Sequence, residues 1–158
     1  MQTVIFDLMG VIFNCEFLSP NSNTYTSESQ ISTIDPQDPS LFTLTPFGLQ
    51  LLELCRTRQC RSLALSHLSK NRLEFLKLQQ PAACANFQAM ILASSTGYRK
   101  NDPKIYHALA DKLKLDLANT IFIDDTLENV QAAEQAGLQT VWCDPTVNVM
   151  ESLAQLLK

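Results

Sequence analysis

The stretch Val4-Ile5-Phe6-Asp7-Leu8-Met9-Gly10-Val11-Ile12-Phe13 constrains this chain more than any other. An apolar strand ends in a carboxylate, turns at a glycine and resumes apolar. A carboxylate at the tip of a buried strand is expensive unless it has a partner or a task. Thr120-Ile121-Phe122-Ile123-Asp124-Asp125 repeats the pattern with two acids. Side by side, the two strands would gather Asp7, Asp124 and Asp125 in one crevice. Such a crevice suits a hard cation such as Mg²⁺ and phosphoryl chemistry.

The rest of the chain alternates strands and helices. Residues 2–6, 62–65, 90–93, 120–123 and 140–143 read as strands. Residues 46–58, 69–79, the stretch after Pro103, the stretch from Leu127 to Gly137, and 147–157 read as helices. Asp102 is expected as N-cap with Pro103 at the first helical position. Gly137 is expected to close its helix. This alternation predicts a parallel sheet with helices on both faces, whose ligand sits at the carboxyl ends of the strands. Asp7, Ser66, Asp124 and Asp125 all fall there.

A length of 158 residues fits one domain, 1–158. No apolar run is long enough to span a bilayer, and no basic-then-apolar leader is seen, so no membrane partner is expected. The five cysteines are odd in number and lack CxxC spacing. They point to a reducing, cytoplasmic setting rather than a disulfide framework. The net charge of −4 is uneven: residues 1–55 hold six acids and no Lys or Arg. Without a basic stripe carrying interleaved aromatics, no nucleic-acid groove is expected. Nothing in the sequence defines an oligomeric state. Residues 14–45 break the alternation, with eleven Ser or Thr, three Pro and no base. An irregular segment of that length is usually functional or disordered, and it emerges directly above the crevice.

Four motifs appear in order: Phe6-Asp7-Leu8-Met9-Gly10-Val11, Leu65-Ser66-His67, Gly97-Tyr98-Arg99-Lys100-Asn101-Asp102-Pro103-Lys104-Ile105-Tyr106, and Phe122-Ile123-Asp124-Asp125-Thr126-Leu127-Glu128-Asn129-Val130. Together they resemble the haloacid dehalogenase superfamily of hydrolases. The resemblance implies a three-layer α/β sandwich with a Rossmann-like five-stranded parallel sheet. Numbering the strands along the chain, their spatial order would be three, two, one, four, five. It implies Asp7 as nucleophile, forming an aspartyl intermediate. Ser66 would donate to the transferring phosphoryl oxygens, and Lys100 would neutralise charge. Asp7, Asp124, Asp125 and the Met9 backbone carbonyl would hold Mg²⁺, and His67 and Asn129 would join Ser66 and Lys100 around the substrate. That substrate would be a small phosphorylated molecule or an exposed phosphate on a larger one. The polar segment 14–45 would stand in place of the family's cap.

Met9 departs from the family pattern. Family phosphatases carry a second Asp there, which protonates the leaving group and then activates water. A thioether does neither, and losing one positioned acid–base group typically costs about 10²–10⁴ in rate. The expectation is therefore slow phosphate-ester hydrolysis. An inactive binding or regulatory relative is the main alternative, and a 2-haloacid dehalogenase is a distant one. Blander roles compete at single residues. Asp125 and Glu128 match a capping box. Asp124 could orient Lys100, and Ser66 could cap the helix near Ser69. His67 is either structural or a substitute acid. Trp142 is expected to pack in the core, while Lys104 and His107 face solvent.

Overall fold

The computed structural model describes residues 1–15 and 42–157. Five strands form one parallel sheet: β1 (Thr3–Phe6), β4 (Arg61–Ser66), β5 (Ala89–Leu92), β6 (Thr120–Asp124) and β7 (Gln139–Trp142). Their spatial order is β5-β4-β1-β6-β7, the three-two-one-four-five order expected. β1 lies at the centre, with Ile5 opposite Leu63 on one side and Phe122 on the other.

Alternation along the central strand explains the layering, because successive strand side chains point to opposite faces. Val4 and Phe6 enter one apolar cluster with Ala64, Ile121 and Ile123. That face is covered by α1 (Gly48–Thr57), α2 (Lys70–Gln79), the short α3 (Pro81–Cys84) and α6 (Val149–Leu156). Ile5 enters the opposite cluster with Leu63, Leu65 and Phe122, covered by α4 (Lys104–Leu113) and α5 (Leu127–Gln135). Each fully buried Leu, Ile or Phe in these layers contributes roughly 1.5–3 kcal/mol of transfer free energy.

Several boundaries differ from expectation. Pro103, not Asp102, occupies the N-cap of α4. Asp102 still satisfies an orphan donor of that first turn, since its Oδ1 accepts from the Lys104 backbone N–H at 3.0 Å. Ser69 is the N-cap of α2 and accepts from the Arg72 N–H at 3.4 Å. The helix α3 was not foreseen, although Pro81 opens it with the dihedral preset for that position. Trp142 is also a correction: it sits on an edge strand and is 37 % exposed rather than packed inside.

A second small sheet was not foreseen either. β2 (Phe13–Cys15) pairs antiparallel with β3 (Phe42–Leu44), Phe13 opposite Leu44. Gly10, at φ +82°, makes the reversal possible. Phe13 N–H then donates to Leu8 O at 2.8 Å, and Gly10 N–H donates to Phe13 O at 2.8 Å. The returning chain is tied to this turn by Thr45, whose hydroxyl donates to Val11 O at 2.6 Å. Thus the two ends of the 14–45 segment are clamped beside β1. Residues 16–41, which make up most of the expected polar insertion, lie outside the described residues.

Candidate active site

The carboxyl ends of β1 and β6 are locked together one residue beyond the ladder. The Asp7 N–H donates to Ile123 O at 2.8 Å, and the Cys143 N–H donates to Asp124 O at 2.9 Å. Asp7 and Asp124 therefore stand at adjacent strand ends, both buried. Asp125 follows at the exposed mouth. Each of the three offers a carboxylate oxygen, and these oxygens lie within 4.8 Å of one another.

Lys100 reaches this cluster from the loop before α4. Its Nζ is 2.7 Å from Asp7 Oδ1 and 2.7 Å from Asp124 Oδ2, and the side chain is 2 % exposed. Burial alone would lower its pKa, but the Asp7 and Asp124 carboxylates override that and hold it above the ordinary lysine range. Asp7 is pushed up to about 7 by burial, against the pull of Lys100 and with the push of Asp124 and Asp125. Asp125 is also raised, first by partial burial and then by Asp124. Three carboxylates facing one ammonium leave unbalanced negative charge where a ligand would enter. Hard oxygen donors with excess negative charge are the set a hard divalent cation such as Mg²⁺ takes, so the residues fit that ion.

The Lys100 backbone is clamped as well. Its N–H donates to His67 Nε2 at 3.3 Å, and its carbonyl accepts from the Tyr106 hydroxyl at 2.8 Å. With Nε2 accepting, neutral His67 carries its proton on Nδ1. Its pKa lies below the ordinary value because of burial and the nearby Lys100 charge. Tyr106 also points its hydroxyl at Asn129 O, 3.1 Å away, joining the Lys100 loop to α5.

Asn129 is placed behind the site. Its amide donates to both Asp124 oxygens, at 3.1 and 3.2 Å, so its nitrogen is turned to Asp124. The Thr126 N–H donates to Asp124 Oδ1 at 2.8 Å, so among the described residues Asp124 carries three donors. The Asp125–Glu128 capping box does not form. Thr126 is the N-cap of α5 and makes no side-chain cap bond. Ser66 is buried at the end of β4, and its Oγ accepts from the Leu68 N–H at 3.2 Å, which leaves its O–H as the donor. Ser69, not Ser66, caps α2. Lys104 and His107 are exposed.

Met9 is 7 % exposed, and its side chain belongs to the apolar cluster beneath the rim. Its backbone forms a bridge with Phe13. It brings no ionisable atom to the crevice.

Four residues support the site in roles that the sequence does not give them. Tyr106 and Asn129 act on partners in other elements, which no local spacing announces. Trp142 donates from its indole N–H to Asp125 O at 3.1 Å, bracing the mouth from the sheet edge. Gly10 is the fourth: an added Cβ would clash with Asp125 Oδ2. Gly10→Ala is expected to destabilise the fold by at least about 1–2 kcal/mol, from the left-handed backbone alone, and to displace Asp125. Urea denaturation of the two proteins measures this.

A central parallel strand ending in an acid, a second strand ending in two, and a lysine bridging them define an α/β protein with an acidic crevice at the carboxyl end of its sheet. Residues 48–137 match the model of the haloacid dehalogenase-like hydrolase family, and the chain belongs to that family. The matched span begins after the Asp7 strand, which the fold comparison supplies. Over 99 % of this chain and 98 % of that chain, the structure is similar to a HAD phosphatase from Thermococcus onnurineus, with TM-score 0.74 and 18 % identity. It is also similar to a HAD family enzyme from Bacteroides thetaiotaomicron, in complex with magnesium and inorganic phosphate. There the TM-score is 0.68 at 17 % identity, covering 94 % of this chain and 96 % of that one. In sequence, 80 residues are 29 % identical to the GMP/IMP nucleotidase YrfG of Escherichia coli K12. That match covers 51 % of this chain and 35 % of the nucleotidase, so the chain spans about a third of this curated relative. No described helix is long and apolar enough to cross a membrane.

Proposed function

We propose that this protein is a magnesium-dependent hydrolase of phosphate esters that works slowly through an aspartyl-phosphate on Asp7. One observation carries the reading: Asp7, Asp124 and Asp125 present oxygens within 4.8 Å of one another, with Lys100 Nζ 2.7 Å from two of the three. Among the described residues both donors to Asp7, the Leu8 N–H and Lys100 Nζ, meet Oδ1. That leaves Oδ2 as the oxygen that attacks phosphorus. Lys100 offsets the repulsion between the attacking carboxylate and the phosphoryl group, and the Ser66 hydroxyl donates to a phosphoryl oxygen. Asp7, Asp124 and Asp125, with the Met9 carbonyl, would hold Mg²⁺, which when bound supplies further charge neutralisation at the transferring group.

The substrate would be a small phosphorylated molecule or an exposed phosphate on a larger one. The family membership supports this, as does the nucleotidase named above, a protein whose name places a phosphate ester as its substrate. The four cysteines described as free thiols fit a cytoplasmic setting. The buried Met9 favours a second reading, a regulatory module with little turnover, because it removes the acid–base group on which fast turnover depends.

The test is phosphate release from p-nitrophenyl phosphate, with magnesium or with a chelator, beside Asp7→Asn. Release is expected to require magnesium and to vanish in the variant. Equal release by Asp7→Asn would remove Asp7 from the chemistry and overturn the reading.

A further inference from the structure

A phosphoryl transfer has two proton problems: the leaving group must depart, and water must later be activated. The described residues around Asp7 solve neither. Met9 is apolar and buried. Lys100 is held protonated by two carboxylates 2.7 Å away. The Tyr106 hydroxyl faces two backbone carbonyls. The Cys143 thiol is buried, and His67, with its basic Nε2 taken by the Lys100 N–H, is left with only the weakly acidic Nδ1–H of a neutral imidazole. Asp124 is enclosed by three donors, and Asp125 belongs to the cation cluster. Among the described residues the nucleophile, its cationic partner and the acid cluster are in place, while no side chain beside Asp7 is placed as proton donor and acceptor.

We infer that the site takes phosphoryl groups from donors whose leaving group departs as a stable anion, acyl phosphates foremost and aryl phosphates next, and keeps the group on Asp7 as a long-lived aspartyl phosphate. The inference rests on the phosphoryl-transfer reading and narrows it to a substrate class and a slow step. With an acyl phosphate, Asp7 Oδ2 forms a bond to phosphorus and the bond from phosphorus to the acyl oxygen breaks. The electron pair leaves with the carboxylate, and no proton moves. Donor and product are both mixed anhydrides of a carboxylic and a phosphoric acid, so the exchange is close to balanced. An alkyl ester differs on both counts: its alkoxide needs a proton to leave, and converting an ester to an anhydride runs uphill. Hydrolysis of the aspartyl phosphate then needs a base to take a proton from water, and Met9 offers none. With an alkyl ester both half-reactions lose the factor of about 10²–10⁴ that a positioned acid–base group supplies, whereas with an acyl phosphate only the hydrolysis does. The protein accumulates in its phosphorylated form.

The experiment incubates the full chain in magnesium buffer with acetyl phosphate, p-nitrophenyl phosphate or glycerol 1-phosphate, followed by acid quench and intact-mass measurement. Acetyl phosphate is expected to add one phosphoryl group, reversed by hydroxylamine and absent in Asp7→Asn. p-Nitrophenyl phosphate is expected to give a stoichiometric burst and then slow release. Glycerol 1-phosphate is expected to react at least ~10²-fold more slowly. Comparable rates for the alkyl and aryl esters, or phosphate release without any adduct, overturn the inference. If no donor labels the parent but Met9→Asp hydrolyses glycerol 1-phosphate, the inference falls and the phosphoryl-transfer reading stands. If neither protein is labelled and neither turns over any donor, both fall.

Discussion

Met9→Asp is expected to raise steady-state hydrolysis of alkyl phosphates by about 10²–10⁴. The substitution adds a carboxyl two residues after the nucleophile, on the same turn, where the chain already reverses at Gly10. Its effect should be graded by leaving group: largest for an alkoxide, smaller for nitrophenolate, least for an acyl carboxylate, which needs no proton. The aspartyl phosphate should decay faster by a similar factor, since the same group would serve water. A new basic limb should appear in the kcat/KM profile, because the added acid must be protonated to act on the leaving group. Stability should fall, since Met9 lies in an apolar cluster beside Phe13 and an unpaired polar group there costs roughly 1–3 kcal/mol. Met9→Leu separates the two effects: it should retain the stability and the slow rate of the parent. A folded Met9→Asp protein that forms the adduct with acetyl phosphate yet gains no alkyl turnover would show that Met9 is not what limits the site.

The layered fold was readable because each main strand carries a period or an apolar run long enough to declare itself. Asp7 and Asp124 were readable for a related reason: a carboxylate closing an apolar strand stands out against its neighbours. β2 and β3 were not, since three-residue strands carry no period and their pairing joins residues on either side of a long polar segment. Asn129 was assigned toward the substrate, yet its amide is turned back to Asp124 because Asp124 is fully buried and needs donors. The spacing of Tyr106 announces no role, because its hydroxyl finds its partners only when the Lys100 loop folds over it. The Asp125–Glu128 pattern suggested a capping box, but Asp125 lies against Gly10 while its carbonyl accepts the Trp142 indole N–H, so Thr126 takes the cap position instead. Patterns along the chain therefore located the reactive ends of strands. The residues that orient them are defined by contacts between elements, which spacing does not encode.

Lys100→Met is expected to lower stability by about 3–5 kcal/mol near neutral pH, the usual cost of removing one partner from a buried ion pair. The substituted side chain is close in length and apolar, so the loss would come from charge rather than from a cavity. Two buried carboxylates, Asp7 and Asp124, would each lose an ammonium 2.7 Å away. Asp124 would retain the Asn129 amide and the Thr126 N–H, whereas Asp7 would keep only the Leu8 N–H among its described donors. Asp7 should therefore respond by holding its proton more tightly. Its folded pKa is already raised, to about 7 from an ordinary 3.8, and removing Lys100 takes away the charge that pulls it down. A carboxyl whose folded pKa exceeds its unfolded one binds extra protons in the native state, so it destabilises the fold progressively as pH rises through that interval. Both folded proteins keep Asp7 protonated below about pH 7, so the deficit of Lys100→Met should be smallest there and widen as pH rises beyond it. Urea midpoints measured across this range test it, and a deficit that stays constant with pH would mean that the loss is one of packing. Magnesium gives an independent check: a cation bound by Asp7, Asp124 and Asp125 would relieve part of the same repulsion, so it should raise the melting temperature of the variant more than that of the parent. Equal shifts in both proteins would separate the cation from the charge that Lys100 balances.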